Sequence, residues 1–247
     1  MQNEPVFLLH LIVSNNYRAY IVGGFVRDFI LGSKNNDVDI VTDAPVNVLL
    51  QLFFNYSPVV LKNGTIKLRF ESYNIDVVQM RKEIFIDGKI SIFPTKYLLN
   101  DYLRRDFTFN AIYMDENGSL YTMGSGIDDC INKRLKFIGN PKTKCIEDPT
   151  RIIRGIYFIL KYNISDYDDM LSIKLCKKDF IKCDINQLNR MLFKILKLEK
   201  NAYFVKLLEQ FSLYDILFKK RNGVQFIKPI DFLLNNEYIF INSIFNI

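Results

Sequence analysis

The amino-acid sequence predicts an α+β fold in which a small mixed sheet is followed by an all-helical region. Up to about residue 115, short β-branched stretches alternate with segments of helical periodicity, and beyond residue 126 nearly every periodic segment is helical. Two aspartates one residue apart interrupt the β-branched run Asp37–Val41, which is typical of a strand with one polar face. With 247 residues, 49% of them hydrophobic, the chain can bury the core that such a fold needs.

The first half predicts, in order, a helix over 4–14, a strand over 18–22, a helix over 25–31, a strand over 37–41, a helix over 45–54, and strands over 58–61, 66–71 and 74–80. Gly32 ends the second helix and Pro45 opens the third. Residues 81–96 have strand propensity, but Gly88 and Pro94 interrupt it, so we interpret this stretch as a mobile loop.

The second half predicts helices over 127–132, 148–161, 167–178, 186–197 and 201–213. The change from mixed to helical periodicity indicates a domain boundary between about 115 and 145. We therefore divide the chain into a mixed part over 1–125, a helical part over 126–198 and a short helical part over 199–247.

Composition excludes several classes of function. His10 is the single histidine and lies in an apolar helix, which disfavours serine–histidine hydrolases and zinc sites built on histidine. The four cysteines form no C-x-x-C pair, and we find neither a signal peptide nor an apolar run long enough to cross a membrane. We therefore expect reduced thiols and a cytoplasmic protein. The net charge of +6 suits an anionic partner, although compositional drift would explain it equally.

A strand followed by Gly23 and Gly24 and then by a helix carrying Arg27 is the first candidate for chemistry. A lone glycine pair is usually only a turn. At a strand-to-helix corner, however, glycines let backbone N–H groups approach phosphate closely. This segment therefore predicts contact with a polyphosphate.

Asp37 and Asp39 form the second candidate. In a strand their side chains share one face, with Cα atoms roughly 6.5–7 Å apart. Two carboxylates so placed repel each other unless a cation lies between them, and Mg²⁺ is the default cation for oxygen ligands. Asp76, in a second alternating strand, is either a further metal ligand, a base for an incoming hydroxyl, or part of a solvated strand face. Together with the glycine corner, these acids predict a nucleotidyl-transfer site.

Two further segments combine arginines with acids. Arg104, Arg105, Asp106 and Asn110 suit recognition of sugar and phosphate, although Asp106 could instead cap a helix. The segment Glu147–Arg154 places Asp148 near Arg151, an acceptor and a donor suited to a base edge, or alternatively only a capped helix start with a salt bridge.

In this order, the four segments resemble the class II (bacterial-type) tRNA nucleotidyltransferase and poly(A) polymerase family, which includes the CCA-adding enzymes. The resemblance covers roughly residues 5–160. It implies a polymerase-β-like nucleotidyltransferase head over 1–125, a hinge and neck for base recognition over 126–198, and a short body contacting RNA over 199–247. It also implies template-independent addition of C and A, from CTP and ATP, to the 3′ end of tRNA.

The resemblance further implies roles for single residues. Asp37 and Asp39 would bind two Mg²⁺ ions; Asp76, which its place in an alternating strand suggests, completes the predicted catalytic set. Gly23, Gly24 and Arg27 would lie along the triphosphate, while Arg105, Asp106 and Asn110 would contact the nucleotide, Asp106 at the ribose 2′-hydroxyl. Asp148 and Arg151, with Arg154 beside them, would read the base. Lysines of the helical half, among them Lys174, Lys178, Lys182 and Lys219, would contact tRNA phosphates.

Some segments depart from the family pattern. Lys89–Ser91 stand where the family usually has Arg-Arg-Pro, and Asn186–Gln187 stand where a neck helix usually begins with Glu-Arg. Three alternatives to CCA addition therefore stay open: poly(A) synthesis, addition of only CC or only A, and a non-catalytic RNA-binding remnant of the family. A nucleotidyltransferase acting on proteins or small molecules fits the acid pair but not the two Arg/Asp segments.

Overall fold

The computed structural model of the chain describes residues 4–62, 64–86, 89–171 and 176–218. The chain divides into two compact units, one up to Asn132 and one from Lys133 onward. The three-part division at 125/126 and 198/199 stays a prediction. The predicted α+β class is confirmed: a mixed sheet with helices occupies the first unit, and helices dominate the second.

Strands and helices alternate in the first unit. Its strands are β1 (Ala19–Val22), β2 (Asp37–Thr42), β3 (Val59–Val60), β4 (Ile66–Phe70), β5 (Tyr73–Gln79), β6 (Arg81–Ile86), β7 (Lys89–Pro94), β8 (Tyr113–Met114) and β9 (Leu120–Tyr121). Its helices are α1 (Glu4–Val13), α2 (Gly24–Ile30), α3 (Val46–Leu52), α4 (Leu98–Arg104) and α5 (Gly126–Ile131), with short 3-10 turns at Phe54–Tyr56 and Thr108–Asn110.

Among the described residues, seven strands form one sheet in the order β3-β4-β5-β2-β1-β8-β9. Only the β2–β5 pairing in this sheet is parallel; the other pairings between its described strands are antiparallel. Along β2, Val38 and Ile40 are buried whereas Asp37 and Asp39 are exposed. This alternation of apolar and acidic residues fixes the register, because a shift by one residue would bury both carboxylates.

Helices α1 and α2 pack against β1 and β2. The buried side chains Leu8, Leu9 and Ile12 recur along α1 at helical spacing and supply its core-facing side. Gly32 follows α2 with φ of +68°, the left-handed conformation that ends many helices. The core therefore lies on the helical side of β2, and the opposite side carries the two aspartates.

The prediction of a mobile loop over 81–96 is wrong for its described residues, because β6 and β7 pair as a separate antiparallel hairpin. Arg81 pairs with Pro94 and Phe85 with Ile90 in this register. Pro94 ends the second strand, where its missing N–H costs least. The sequence Asp87-Gly88 between the strands is a strong hairpin signal that outweighs the weak polar alternation on either side.

The second unit consists of helices α6 (Pro141–Glu147), α7 (Thr150–Tyr162), α8 (Asp168–Leu171), α9 (Lys177–Phe180), α10 (Ile185–Leu196), α11 (Asn201–Gln210) and α12 (Tyr214–Phe218). Helix α7 packs against α6, α10 and α11. Leu188, Leu192 and Ile195 form the buried side of α10, and the Asp184 carboxylate caps its start by accepting a hydrogen bond from the Gln187 N–H at 2.8 Å.

Other predictions need smaller corrections. The single helix expected over 167–178 is represented by α8 and by the start of α9, with 172–175 outside the described residues. Helices α4 and α6 were not predicted. The cationic positions Lys174 and Lys219 also lie outside the described residues. Over the part of the chain that the structure describes, no helix is both long and apolar enough to cross a membrane.

Candidate active site

Asp37 and Asp39 project from the same face of β2 into a cleft of about 510 Å³. Parallel pairing of β2 with β5 sets Asp39 directly opposite Asp76 and Asp37 opposite Asn74. The Asn74 side-chain amide donates a hydrogen bond to Asp37 Oδ1 at 2.9 Å. Residues on the same face of paired strands lie close together. The register therefore brings all three predicted acids to one cleft.

Asp76 is engaged by a cation from the next strand. The Lys67 ammonium on β4 lies 2.8 Å from Asp76 Oδ1 and 3.0 Å from Oδ2, and both side chains line the cleft. Lys67 and Asp76 are also register partners of the antiparallel β4–β5 pair. Asp37 and Asp39 therefore form the open carboxylate pair of the cleft, while the third carboxylate is already neutralised.

Negative charge is concentrated around Asp39. Packing of protein around this carboxyl group raises its pKa above the ordinary aspartate value, even though its side chain is exposed to the cleft. Arg105 opposes the shift, whereas the charges of Asp76 and Asp37 add to it. A cation placed beside these carboxylates would relieve that repulsion.

The donor set of the cleft suits a hard divalent cation. Mg²⁺ is held in proteins by one or two carboxylates together with substrate phosphates, and the open pair Asp37 and Asp39 supplies two carboxylates. No cluster of three or more His, Cys, Asp or Glu side chains that could hold a metal ion occurs among the described residues. The pair therefore fits an ion that completes its coordination with a bound ligand or water, rather than one enclosed by protein alone.

Gly23 touches the aspartate pair. It follows β1 with φ of +81° and ψ of −135°, a conformation accessible essentially only to glycine. A methyl group added to Gly23 would lie 3.1 Å from Asp39 Oδ2 and 4.0 Å from Arg105 Nη1. The glycine corner, the acid pair and the Arg104–Asp106 segment thus converge at one point, although they are separated by up to about 80 residues in the sequence.

Arg27 joins the glycine corner to the Asp106 segment. Its guanidinium pairs with Asp28 at 3.0 Å, donates a hydrogen bond to Asn110 Oδ1, and lies 5.5 Å from the centre of the Phe109 ring. The Asn110 amide in turn donates to Asp106 Oδ1 at 3.4 Å. Arg27 is 5% exposed, so its role includes holding this network in place.

The network continues from Asp28 to the aspartate strand. The Asn35 amide donates to Asp28 Oδ2 at 2.8 Å, and the Asp37 N–H donates to Asn35 Oδ1 at 2.9 Å. A continuous path of hydrogen bonds therefore links Asp106, through buried groups, to the first residue of β2. Neither Asp28 nor Asn35 was among the predicted site residues.

The buried carboxylate of Asp101 holds the Arg105 side chain in place. This carboxylate is fully buried, and its Oδ2 atom accepts hydrogen bonds from Arg105 Nε at 2.8 Å and from the Tyr113 hydroxyl at 2.9 Å. Its Oδ1 atom accepts from Arg104 Nε at 2.8 Å. Burial alone would raise the pKa of Asp101, but the two guanidinium groups and Tyr113 outweigh it and lower the pKa.

Sequence reasoning missed Asp101 even though a signal existed. Asp101 precedes Arg104 by three residues and Arg105 by four, the spacing of side-chain pairs on one helix face. Asp106 itself is not the cap of a regular helix: it follows the end of α4 at Arg104, and its Oδ1 accepts a hydrogen bond from the adjacent Phe107 N–H at 2.8 Å.

Asp148, Arg151 and Arg154 cluster at the start of α7 in the second unit. Asp148 Oδ1 accepts a hydrogen bond from the N–H of Thr150, the first residue of α7, at 3.0 Å, although the cap position itself is occupied by Pro149. The cation nearest to the Asp148 carboxylate is Arg154, at 3.0 Å, whereas Arg151 Nε lies at 4.0 Å. Arg151 instead pairs with Glu147 at 2.9 Å and is 5% exposed.

This arrangement revises the expected donor–acceptor pair. Burial would raise the pKa of Asp148, but Arg154, Thr150 and Arg151 together lower it, so the carboxylate is a charged acceptor at neutral pH. The Asp148–Arg154 pair is partly exposed, with side-chain exposures of 28% and 27%. The exposed acceptor and donor at the start of α7 are therefore Asp148 and Arg154.

Comparisons with known proteins identify relatives of this chain. The family described as "Poly A polymerase head domain" matches residues 19–136. The CCA-adding enzyme of Staphylococcus epidermidis is 36% identical over 173 residues, covering 69% of this chain and 43% of that protein. The CCA-adding enzyme of Staphylococcus aureus is 30% identical over 243 residues, covering 93% of this chain and 59% of that protein.

Solved structures show the same fold. The Bacillus stearothermophilus CCA-adding enzyme in complex with CTP superposes with a TM-score of 0.77 and 26% identity, over 85% of this chain and 52% of that one. The Thermotoga maritima CCA-adding enzyme complexed with tRNA gives a TM-score of 0.72 at 23% identity, over 87% of this chain and 52% of that one, which is a likeness of fold. The chain thus spans about half the length of these relatives.

The matched segment contains the glycine corner, the aspartate pair, Asp76 and the Arg104–Asn110 segment. It therefore contains three of the four segments on which the resemblance is based, and the fourth, Glu147–Arg154, lies beyond it. Through residues 19–136, the chain is similar to the poly A polymerase head-domain family.

Proposed function

We propose that the chain is a template-independent RNA nucleotidyltransferase that adds C and A, from CTP and ATP, to the 3′ end of tRNA. The observation that carries this proposal is the convergence at Gly23: a methyl group added to this glycine would lie 3.1 Å from Asp39 Oδ2 and 4.0 Å from Arg105 Nη1. A carboxylate pair, a glycine corner and an arginine at one point are what a metal–triphosphate complex requires. The name CCA-adding enzyme that the relatives carry supports addition of C and A.

The reaction would join the RNA 3′-hydroxyl oxygen to the α-phosphorus of the nucleoside triphosphate, with the bond to the β-phosphate oxygen breaking and pyrophosphate leaving in line. Nucleotidyltransferases of this family generally use divalent metal ions, and we propose Mg²⁺, held by Asp37 and Asp39. When bound, the metal supplies Lewis-acid activation of the hydroxyl and neutralises charge on the departing pyrophosphate.

The remaining residues bind and orient. Backbone groups at Gly23 and Gly24 would approach the triphosphate, and Arg105, fixed by the fully buried Asp101, would face its charge. Asp106, held through Asn110 and Arg27, would accept a hydrogen bond from the ribose 2′-hydroxyl. Such an interaction selects ribonucleotides, because a deoxyribonucleotide leaves this acceptor unsatisfied.

Base selection would depend on the second unit. Asp148 offers a charged acceptor and Arg154 a donor, both partly exposed at the start of α7. Their mutual 3.0 Å pairing shows that the two groups reach the same space, so each could exchange its partner for a base edge. We therefore propose Asp148 and Arg154 as the base-reading pair and Arg151 as the residue that supports them through Glu147.

Incorporation of labelled CTP and ATP into tRNA transcripts ending before CCA, or at CC, tests the proposal. We expect Mg²⁺-dependent extension, with sequenced 3′ ends reading CCA, and loss of at least about a thousandfold in rate for Asp39→Ala. Asp43→Ala, which removes an aspartate from the end of β2 outside the cleft, is the control and should retain activity. No incorporation by the parent chain on several tRNAs would instead favour a non-catalytic RNA-binding protein, and runs of A would indicate poly(A) synthesis.

A further inference from the structure

Two basic residues of β4 line the cleft, and the proposed reaction has so far given them no role. Lys67 and Arg69 both project from β4 into the cleft that Asp37, Asp39 and Asp76 line. Lys67 pairs with Asp76, but no hydrogen bond or ion pair to Arg69 is found among the described residues, and its side chain is exposed. An exposed guanidinium without a described partner therefore lines the same cleft as the three aspartates.

The register aligns these residues in two rows across the sheet. Arg69 on β4 is the partner of Asn74 on β5, which is the partner of Asp37 on β2. Two residues away along each strand, Lys67 is aligned in the same way with Asp76 and Asp39. Since β4 is two strands from β2, the backbone of Arg69 is about 10 Å from that of the acid pair. An extended arginine side chain and one nucleotide can together span this distance.

The two sides of β2 differ in what they offer. Gly23 and Arg105 lie on the β1 side, because β1 pairs with β2 and Val22 is the partner of Asp39. The strand order β4-β5-β2-β1 puts Lys67 and Arg69 on the opposite side of the acids. A triphosphate on the β1 side would have its leaving pyrophosphate there, and an in-line attack requires the hydroxyl to arrive from the opposite direction.

We infer that the side of the cleft formed by β4 binds the 3′ end of the RNA acceptor. Arg69 binds a backbone phosphate adjacent to the RNA 3′ end, and Lys67 holds Asp76 beside the attacking hydroxyl. This inference rests on the proposed function and names the place where its polynucleotide substrate enters the head. A guanidinium without a protein partner favours a phosphate oxygen, which it can bind in a bidentate manner. Binding of this kind is independent of base sequence and sensitive to salt.

The test combines a protein variant with a change in the RNA. Parent and Arg69→Ala are assayed on a tRNA transcript lacking its terminal A, whose last internucleotide linkage is either a phosphodiester or an uncharged methylphosphonate. We expect the neutral linkage to raise the KM for RNA about 5- to 10-fold for the parent, and Arg69→Ala to raise it similarly on normal RNA. Applied together, the two changes should cost little more than either one, because both remove the same contact.

Several controls separate this role from others. The KM for ATP should stay unchanged in Arg69→Ala; an increase there would place Arg69 on the triphosphate and overturn the inference. Arg69→Lys should restore part of the RNA affinity, and Arg18→Ala, at the far end of β1, should behave as the parent. A methylphosphonate ten nucleotides upstream should affect parent and variant equally. Full additivity of the variant and the terminal linkage change would also overturn the inference.

Failure of the inference can be distinguished from failure of the proposed function. If the parent incorporates ATP but the KM increases caused by Arg69→Ala and by the methylphosphonate are additive, the proposed function is supported and the RNA phosphate site at β4 is not. If the parent incorporates nothing, the proposed function fails, and the same pair of RNAs is compared by fluorescence anisotropy. A preference for the charged linkage that Arg69→Ala abolishes would then still support an RNA phosphate site at β4, and no preference would overturn it.

Discussion

At the scale of single residues, the site depends on buried groups that never face the cleft. Asp101 is fully buried and accepts hydrogen bonds from Arg104, Arg105 and Tyr113. A buried carboxylate is tolerated only when its hydrogen-bonding capacity is satisfied by cations or donors. Removing its charge would take a buried counterion away from both guanidinium groups and would free Arg105 to change rotamer.

We therefore expect Asp101→Asn to lower the free energy of unfolding by about 3 kcal/mol, the cost typical of breaking a buried ion pair from one side. Urea denaturation followed by circular dichroism measures this change. Asp43→Asn is the matched control, because Asp43 pairs with an Arg18 side chain that is 51% exposed, and we expect a loss below about 1 kcal/mol. Equal losses in the two variants would show that Asp101 is not a structural anchor.

Acid sensitivity provides a second measurement on the same residue. Because the pKa of Asp101 is lowered in the folded protein, the folded state binds this proton more weakly than the unfolded chain does. Its stabilising contribution is complete above the unfolded aspartate pKa of about 3.9 and is lost as the pH falls through the lower folded pKa. We expect a shallower decrease in stability below about pH 4 for Asp101→Asn than for the parent.

At the scale of elements, the sequence predicted the helices and strands that carry a local signal. The alternation of Val38 and Ile40 with Asp37 and Asp39 was sufficient to place β2 and its acidic face. The pairing of β6 with β7 was missed because Asp87-Gly88 was not recognised as a turn signal. The partner of Asp76 was not predictable from spacing, because the β4–β5 register that brings Lys67 to it is a tertiary property.

The corner between β1 and α2 gives a prediction at this scale, since glycines with positive φ stand at both ends of α2. Gly23→Ala should strain the backbone and bring a methyl group to 3.1 Å from Asp39 Oδ2, whereas Gly32→Ala has φ of +68° but no atom within 4 Å of the added methyl group. We expect a loss of stability of about 1 kcal/mol in Gly32→Ala and a larger loss, up to about 3 kcal/mol, in Gly23→Ala, with a loss of nucleotide incorporation of about a hundredfold only in Gly23→Ala.

Thermal unfolding and incorporation rates of these two variants check this prediction together. If both variants kept the activity of the parent, the close approach of the corner to Asp39 would have no catalytic consequence. A parallel loss of activity in both would trace the defect to α2 as a whole rather than to the point where Gly23, Asp39 and Arg105 meet.

At the scale of the whole molecule, the fold class and the change from mixed to helical structure followed from periodicity. The order of four short segments then pointed to the family that the comparisons confirm. What the sequence could not supply was the choice of partner among nearby charges, such as Asp148 with Arg154 instead of Arg151. Such choices among neighbouring charges depend on side-chain packing that sequence spacing leaves open.

The proposed function requires above all that Asp37 and Asp39 gather divalent cations around a nucleoside triphosphate. Binding of Mn²⁺ to the intact chain, followed by electron paramagnetic resonance with and without a CTP analogue whose α,β-bridge is methylene, tests it without requiring catalysis. We predict that the analogue increases the number of tightly bound ions in the parent, and that Asp37→Asn and Asp39→Asn abolish the increase while Asp43→Asn retains it. An unchanged ion count in Asp39→Asn would contradict the account.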